Sequence, residues 1–100
     1  MSVKVKLDFV PFDAAEYIDG EAGALAYLES AFETKDAAFI AEALGDVARA
    51  RGMTKVAKAA GLSRESLYKA LSSDGNPEFA TILRVIDALG FTLAIRPGKG

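Results

Sequence analysis

Met53-Thr-Lys-Val-Ala-Lys-Ala-Ala-Gly-Leu-Ser-Arg-Glu-Ser-Leu-Tyr-Lys-Ala-Leu-Ser72 is the stretch that decides the fold. It reads as two short helices joined by a tight turn. Ala57 is the small residue that lets the first helix cross the second closely. Gly61, four residues on, supplies the positive φ that such a turn needs. Leu62 is the turn's apolar residue, and the Ser63 hydroxyl caps the second helix. Leu67 and Leu71, one helical turn apart, face back toward Val56 and Ala60. Arg64, Glu65, Tyr68 and Lys69 are left on the outer face. A helix that is apolar behind and carries long polar side chains in front suits the major groove of DNA. The competing reading is an ordinary helical hairpin in a small bundle.

Working outward, the N-terminal part alternates Val3, Val5, Leu7 and Phe9 with Lys4, Lys6 and Asp8, the period of a strand. Pro11 ends it, Asp13 caps a short helical turn through Ile18, and Asp19-Gly20 breaks that turn. A helix is predicted from Glu21 to about Glu33, with Leu25, Leu28 and Phe32 on one face and Glu21, Glu29 and Glu33 on another. Thr34 or Asp36 then caps a longer helix ending at Arg51. Its buried stripe is predicted as Phe39, Ile40, Leu44, Val47 and Ala48, closed by Gly52 in the left-handed region. Gly45 inside this helix either weakens it by about 1 kcal/mol or permits close packing.

Thr54 is predicted to cap the first helix of the central pair. Ser72 to Pro77 is a turn-forming loop, after which Asn76 as cap and Pro77 as first residue open a last helix. That helix is predicted to bury Phe79, Ile82, Leu83, Ile86 and Leu89 and to stop at Gly90. Phe91, Leu93 and Ile95 alternate with Thr92 and Ala94, so a second short strand is expected. The terminal strands pair with each other, with a second subunit or with a partner's sheet edge, or remain extended tails. The expected fold class is therefore mostly α, with five main helices and a short strand at each end.

The 100 residues suit a single domain. Within it, residues 1–34 read as an N-terminal extension and residues 36–96 as a DNA-binding core. The chain has no Cys and no His. A disulfide framework, a zinc site and a nucleophile–histidine arrangement therefore fall away. No pair of carboxylates forms a catalytic motif, and neither an enzyme nor a cofactor is expected. No uncharged apolar run, Ala22 to Leu28 included, approaches the length needed to span a bilayer. The N-terminus lacks the layout of a signal peptide. A cytoplasmic protein with no membrane or small-molecule partner is expected.

The net charge of −2 conceals a polarity along the chain. Residues 1–50 carry four Lys/Arg against ten Asp/Glu, and residues 51–100 carry eight against four. The basic half holds the helix pair, where phosphate attraction is expected. The acidic half suits a basic protein partner. Arg64 is the best candidate for guanine readout, because its fork bonds two acceptors at once. Glu65 either accepts from a cytosine amino group or orients Arg64. Thr54, Lys55, Ser63, Ser66, Ser72 and Asn76 lie near helix ends and the following loop, where phosphate contacts are usual.

Two longer stretches carry a resemblance: PFDAAEYID from Pro11 to Asp19, and Ala43 to Phe91, within which GLSRESLYKALSSDGNPEF is most specific. Beyond the helix-turn-helix of lambda-repressor and Cro-like proteins, these resemble the addiction-module antidote proteins, small antitoxins of bacterial type II toxin–antitoxin operons. The resemblance covers roughly residues 11–95. It implies a five-helix lambda-repressor-like core, a homodimer formed through it, repression of the protein's own operon, and neutralisation of a RelE/ParE-like toxin.

Such toxins are basic, so the toxin surface is expected on Val3 to Glu42, with Glu16, Asp19, Glu21, Glu29 and Glu33 steering association. Nearly every segment is periodic and apolar on one face, so a largely prefolded inhibitor is expected. The C-terminal helix from Pro77 and the strand Phe91 to Ile95, a very apolar segment, are the candidate dimer surface. Two other readings stand beside the antitoxin: a free-standing helix-turn-helix repressor without a toxin, and a helical adaptor that has lost DNA binding.

Overall fold

A computed structural model describes residues 20–98. Among them are five helices and no strand: α1 Glu21–Glu33, α2 Ala37–Arg51, α3 Met53–Ala60, α4 Arg64–Ala70 and α5 Phe79–Ala88. The expected leader strand Val3–Phe9 and the helical turn through Ile18 lie outside the described residues, as do Glu16 and Asp19.

Helix α1 follows Gly20 without a side-chain cap, and Glu21 in its first turn suits the positive end of the helix dipole. It buries Ala24, Leu28 and Ala31, a row spaced by four and three. Leu25, expected inside, is 44% exposed. Two alanines let α1 lie close enough that the row containing them, rather than the bulkier one, forms the contact. The Thr34 hydroxyl donates to the Ala31 carbonyl at 2.6 Å and accepts from the Asp36 N–H at 3.1 Å. Thr34 thus stops α1 and shapes the turn through Lys35, whose φ is +57°.

Of the two caps considered for α2, Asp36 is the one used: its Oδ1 accepts from the N–H groups of Ala38 and Phe39. Ala41, Ala43, Leu44, Gly45, Val47 and Ala48 are buried along α2. Phe39, expected in that stripe, sits in the first turn and is 46% exposed. Gly45 is a packing residue. A Cβ there would meet the Leu71 carbonyl oxygen at 2.9 Å, so the end of α4 rests directly on the α2 backbone.

Gly52 joins α2 to α3 with φ +104° and ψ +110°, positive in φ but outside the left-handed helical region expected for it. Its position as N-cap of α3 leaves Thr54 inside the helix, so Thr54 is no cap. Met53, Val56, Ala57 and Ala60 are buried, one face of a short helix. Gly61, at φ +74° and ψ +31°, ends α3 in the left-handed conformation. The Leu62 N–H donates to the Ala57 carbonyl at 2.9 Å, completing a Schellman closure.

Ser63 then caps α4: its Oγ accepts from the Ser66 N–H at 3.0 Å. Leu67 and Leu71 turn inward and are almost wholly buried. Helix α5 begins two residues later than expected. Its N-cap is Glu78, with Asn76 and Pro77 still in the loop. Gly75 holds that loop against α4, since a Cβ on it would lie 2.6 Å from the Lys69 and Ala70 carbonyl oxygens.

The helices pack in chain order, α1 on α2, α2 on α3, and α3 on both α4 and α5. Leu44, Val47, Leu67, Leu71 and Val85 form the deepest layer. Ile86 and Leu89 of the last helix are buried as expected, but Phe79 is 66% and Leu83 41% exposed.

Among the described residues, 91–98 form no strand, so the expected strand Phe91–Ile95 is not shown. Alternation alone makes no strand; a neighbouring backbone is needed, and none lies beside this segment among the described residues. Phe91 is anchored instead. Its N–H donates to the Ile86 carbonyl, and its ring lies 5.7 Å from the Arg51 guanidinium. Arg51 Nη1 also donates to the Leu89 carbonyl at 2.9 Å, tying the end of α2 to the end of α5.

Candidate nucleic-acid interface

The α3–α4 pair sets the site. Leu67 and Leu71 dock α4 on the core, and that phase turns Arg64, Glu65, Tyr68 and Lys69 to solvent. Thr54 and Lys55 are exposed on the first turn of α3, and Ser63 and Ser66 on the capped start of α4. From residue 53 to residue 72 the basic side chains are Lys55, Lys58, Arg64 and Lys69, against the single acid Glu65. All are exposed, so this surface carries a net positive field.

Six of the ten predicted residues fall into two groups. Ser66, Lys69, Ser72 and Asn76 line one open concavity together with Asp74 and Gly75. Ser72 is half-buried there and donates from its hydroxyl to the Lys69 carbonyl at 3.1 Å. Arg64 and Tyr68 form the second group. The guanidinium carbon sits 5.4 Å from the Tyr68 ring centroid, and Arg64 Nη2 lies 3.4 Å from the phenol oxygen. No ion pair joins Arg64 to Glu65 among the described residues.

Arg84 was missed by sequence reasoning. It lies on α5, far along the chain, yet its Nη1 is 3.7 Å from where a Cβ on Gly61 would stand. An exposed cation thus sits beside the α3–α4 turn. Only the packing of α5 on α3 brings it there, so no local motif signals it.

The acidic residues expected to meet a protein partner lie elsewhere. Glu21, Glu29 and Glu33 are exposed on α1. Glu33 approaches Arg96 at 3.8 Å, an exposed pair that contributes little to stability. Across the α1–α2 seam, the Tyr27 hydroxyl donates to Asp46 Oδ2 at 2.5 Å, and Asp46 Oδ1 accepts from Arg49 at 2.5 Å. The Tyr27 phenol is pushed up to about 12, first by that hydrogen bond, then by burial and the charges of Asp46 and Glu42, against a small opposing effect of Arg49.

No group of metal-ligating side chains gathers among the described residues. No described helix is long and apolar enough to cross a membrane.

Comparison with known proteins adds the family. An uncharacterized protein of Haemophilus influenzae is 43% identical over 88 residues, covering 88% of this chain and 91% of that one. No solved structure is significantly similar. The family described as probable addiction module antidote protein matches over residues 8–97, nearly the whole chain and all five helices. The exposed basic helix pair and the acidic α1 thus belong to a member of the probable addiction module antidote protein family.

Proposed function

We propose that the protein is an antitoxin of a type II toxin–antitoxin module, which binds and neutralises a RelE/ParE-like toxin and represses its own operon. Membership of an antidote family supports a toxin partner and a regulatory, non-enzymatic role. The observation that carries the DNA-binding half is the α3–α4 pair, whose second helix is capped by Ser63, apolar behind and polar in front. In this reading α3 and α4 are a lambda-repressor-like helix-turn-helix. With seven residues, α4 is about 10 Å long, which matches a major groove about 12 Å wide.

Arg64, Glu65, Tyr68 and Lys69 face base edges, while Thr54, Lys55, Ser63, Ser66, Ser72 and Asn76 contact phosphates. A helix this short reads a few base pairs, so a homodimer spans two half-sites about 34 Å apart. Phe79 and Leu83 on α5, and Leu93 and Ile95 after it, are exposed apolar residues consistent with a dimer surface. Residues 36–96 form the DNA-binding core in this account. The acidic side, with Glu21, Glu29 and Glu33 on α1 and Glu16 and Asp19 before it, meets the basic toxin, speeding association more than tightening it. The site of action is the cytoplasm.

The test is co-expression with the product of the adjacent reading frame, scoring co-purification and rescue of growth, alongside binding to the DNA upstream of the gene. Co-purification, rescue and upstream DNA binding together uphold the antitoxin reading. DNA binding with no toxic neighbour points to a free-standing repressor. Co-purification without DNA binding points to a helical adaptor.

A further inference from the structure

The outer face of α4 holds a contact that sequence reasoning did not anticipate. Arg64 and Tyr68 are one helical turn apart and share that face. The guanidinium lies 5.4 Å from the ring centroid, within the range of cation–π attraction. A second, weaker tie is the 3.4 Å approach of Nη2 to the phenol oxygen. Tyr68 is 42% exposed, so more than half of its surface is covered by the protein. Glu65, for which orienting Arg64 is one of two readings, makes no ion pair with it among the described residues.

The chemistry of the two possible partners differs. A carboxylate would take the N–H edge of the guanidinium, the same edge that a guanine or a phosphate needs. A ring takes the face and leaves the edge free. Of five N–H donors, at most one is directed at the phenol oxygen, and the others remain available. An unsupported arginine would also lose rotamer freedom when it docks. A tyrosine has only two side-chain torsions and holds its partner at little further loss.

We propose that Tyr68 is a positioning residue for Arg64, and that the pair reads one base pair as a unit, Arg64 with its edge and Tyr68 by holding the face. This rests on the DNA-binding reading above. It assigns base selectivity to a stacked pair on α4 rather than to four side chains acting singly.

The experiment uses the full chain and a randomised duplex pool, from which wild-type protein selects a preferred site. Affinity is then measured for that site and for each single base-pair change within it, with helical content and thermal unfolding recorded for every variant. Tyr68→Leu is expected to lose roughly three- to tenfold in affinity for the preferred site, and to relax selectivity at the same base pair as Arg64→Ala. The double variant Arg64→Ala/Tyr68→Leu should bind no worse than Arg64→Ala alone. Tyr68→Phe, which keeps the ring, should stay within about twofold of wild type.

Additive losses in the double variant, or relaxation at a different base pair, would mean that Tyr68 touches DNA independently, and the proposal fails. It fails equally if Tyr68→Phe is as damaging as Tyr68→Leu. If Tyr68→Leu unfolds, Tyr68→Phe and a Tyr68→Met variant of similar bulk carry the comparison. Should wild-type protein select no site from the pool, the DNA-binding reading itself falls, an outcome distinct from failure of the pairing.

Discussion

Replacing Gly45 by alanine sets two effects of known sign against each other. Gly45 is in the interior of α2, where alanine is better than glycine by about 1 kcal/mol of helix propensity. Were α2 an isolated helix, Gly45→Ala would stabilise it. In the folded protein the new Cβ would stand 2.9 Å from the Leu71 carbonyl oxygen, 3.3 Å from Arg49 Nη1 and 3.4 Å from the Leu71 Cβ. The arginine end is flexible and moves aside. The carbonyl is backbone at the C-cap of α4, and Leu71 itself is 2% exposed. Relief therefore requires α4 to shift by a few tenths of an ångström against a close-packed core. Overpacking of this kind costs about 1–3 kcal/mol.

The clash outweighs the propensity gain, and Gly45→Ala should destabilise by about 1 kcal/mol net. For a chain of this size that is a fall in Tm of about 4–8 °C. Gly45→Val, with two more methyl groups toward the same carbonyl, should be markedly worse. Urea unfolding followed by far-ultraviolet circular dichroism measures both, with an unchanged slope confirming that stability rather than compactness has changed. A Gly45→Ala protein more stable than wild type would refute the close α2–α4 contact, leaving Gly45 as a mere weak point in a helix. Because Leu71 ends the helix that carries Arg64 and Tyr68, the same variant should also weaken any DNA binding by α4.

Further outcomes follow from other contacts. Arg51→Met, which keeps the aliphatic bulk, removes the bond to the Leu89 carbonyl and the stacking on Phe91; a loss of about 1–3 kcal/mol is expected in chemical unfolding. Gly61→Ala forces a side chain into φ +74°, where its Cβ would meet only the flexible end of Arg84 at an ordinary 3.7 Å contact; backbone strain alone should cost about 1 kcal/mol, whereas an unchanged Tm would mean that the turn relaxes. Tyr27 holds its proton more tightly folded than unfolded, from 10.0 up to about 12. Its stabilising effect is present in full below pH 10 and declines as pH rises toward 12. Alkaline unfolding of wild type and Tyr27→Phe should therefore converge across that window, and ultraviolet titration should show one tyrosine ionising late. Leu67→Ala should cost about 2–5 kcal/mol, as expected for a fully buried leucine.

The sequence by itself determined what depends on nearest neighbours along the chain. Periodicity placed all five described helices, because the apolar face of a helix recurs every three to four residues whatever covers it. Local chemistry named the Ser63 cap and the positive φ of Gly61 and narrowed the α2 cap to Thr34 or Asp36, since each acts within a turn of its own position. The exposure of Arg64, Glu65, Tyr68 and Lys69 followed from the phase of Leu67 and Leu71.

The tertiary structure decided what depends on residues far apart in the chain. Which apolar residues are covered was one such matter: Leu25, Phe39, Phe79 and Leu83 have the right chemistry for a core, but between 41% and 66% of each stays exposed once the helices are packed. Phe91–Ile95 has the alternation of a strand and no adjacent backbone to pair with among the described residues. Whether Gly45 was a weakness or a contact depended on the Leu71 carbonyl, 26 residues away. The arrival of Arg84 beside Gly61 depended on how α5 crosses α3. The choice of Tyr68 over Glu65 as the partner of Arg64 was likewise open in the sequence, because both are within reach on α4 and only side-chain geometry separates them. A one-dimensional pattern records which face a residue prefers; what stands opposite that face is a property of the packed chain alone.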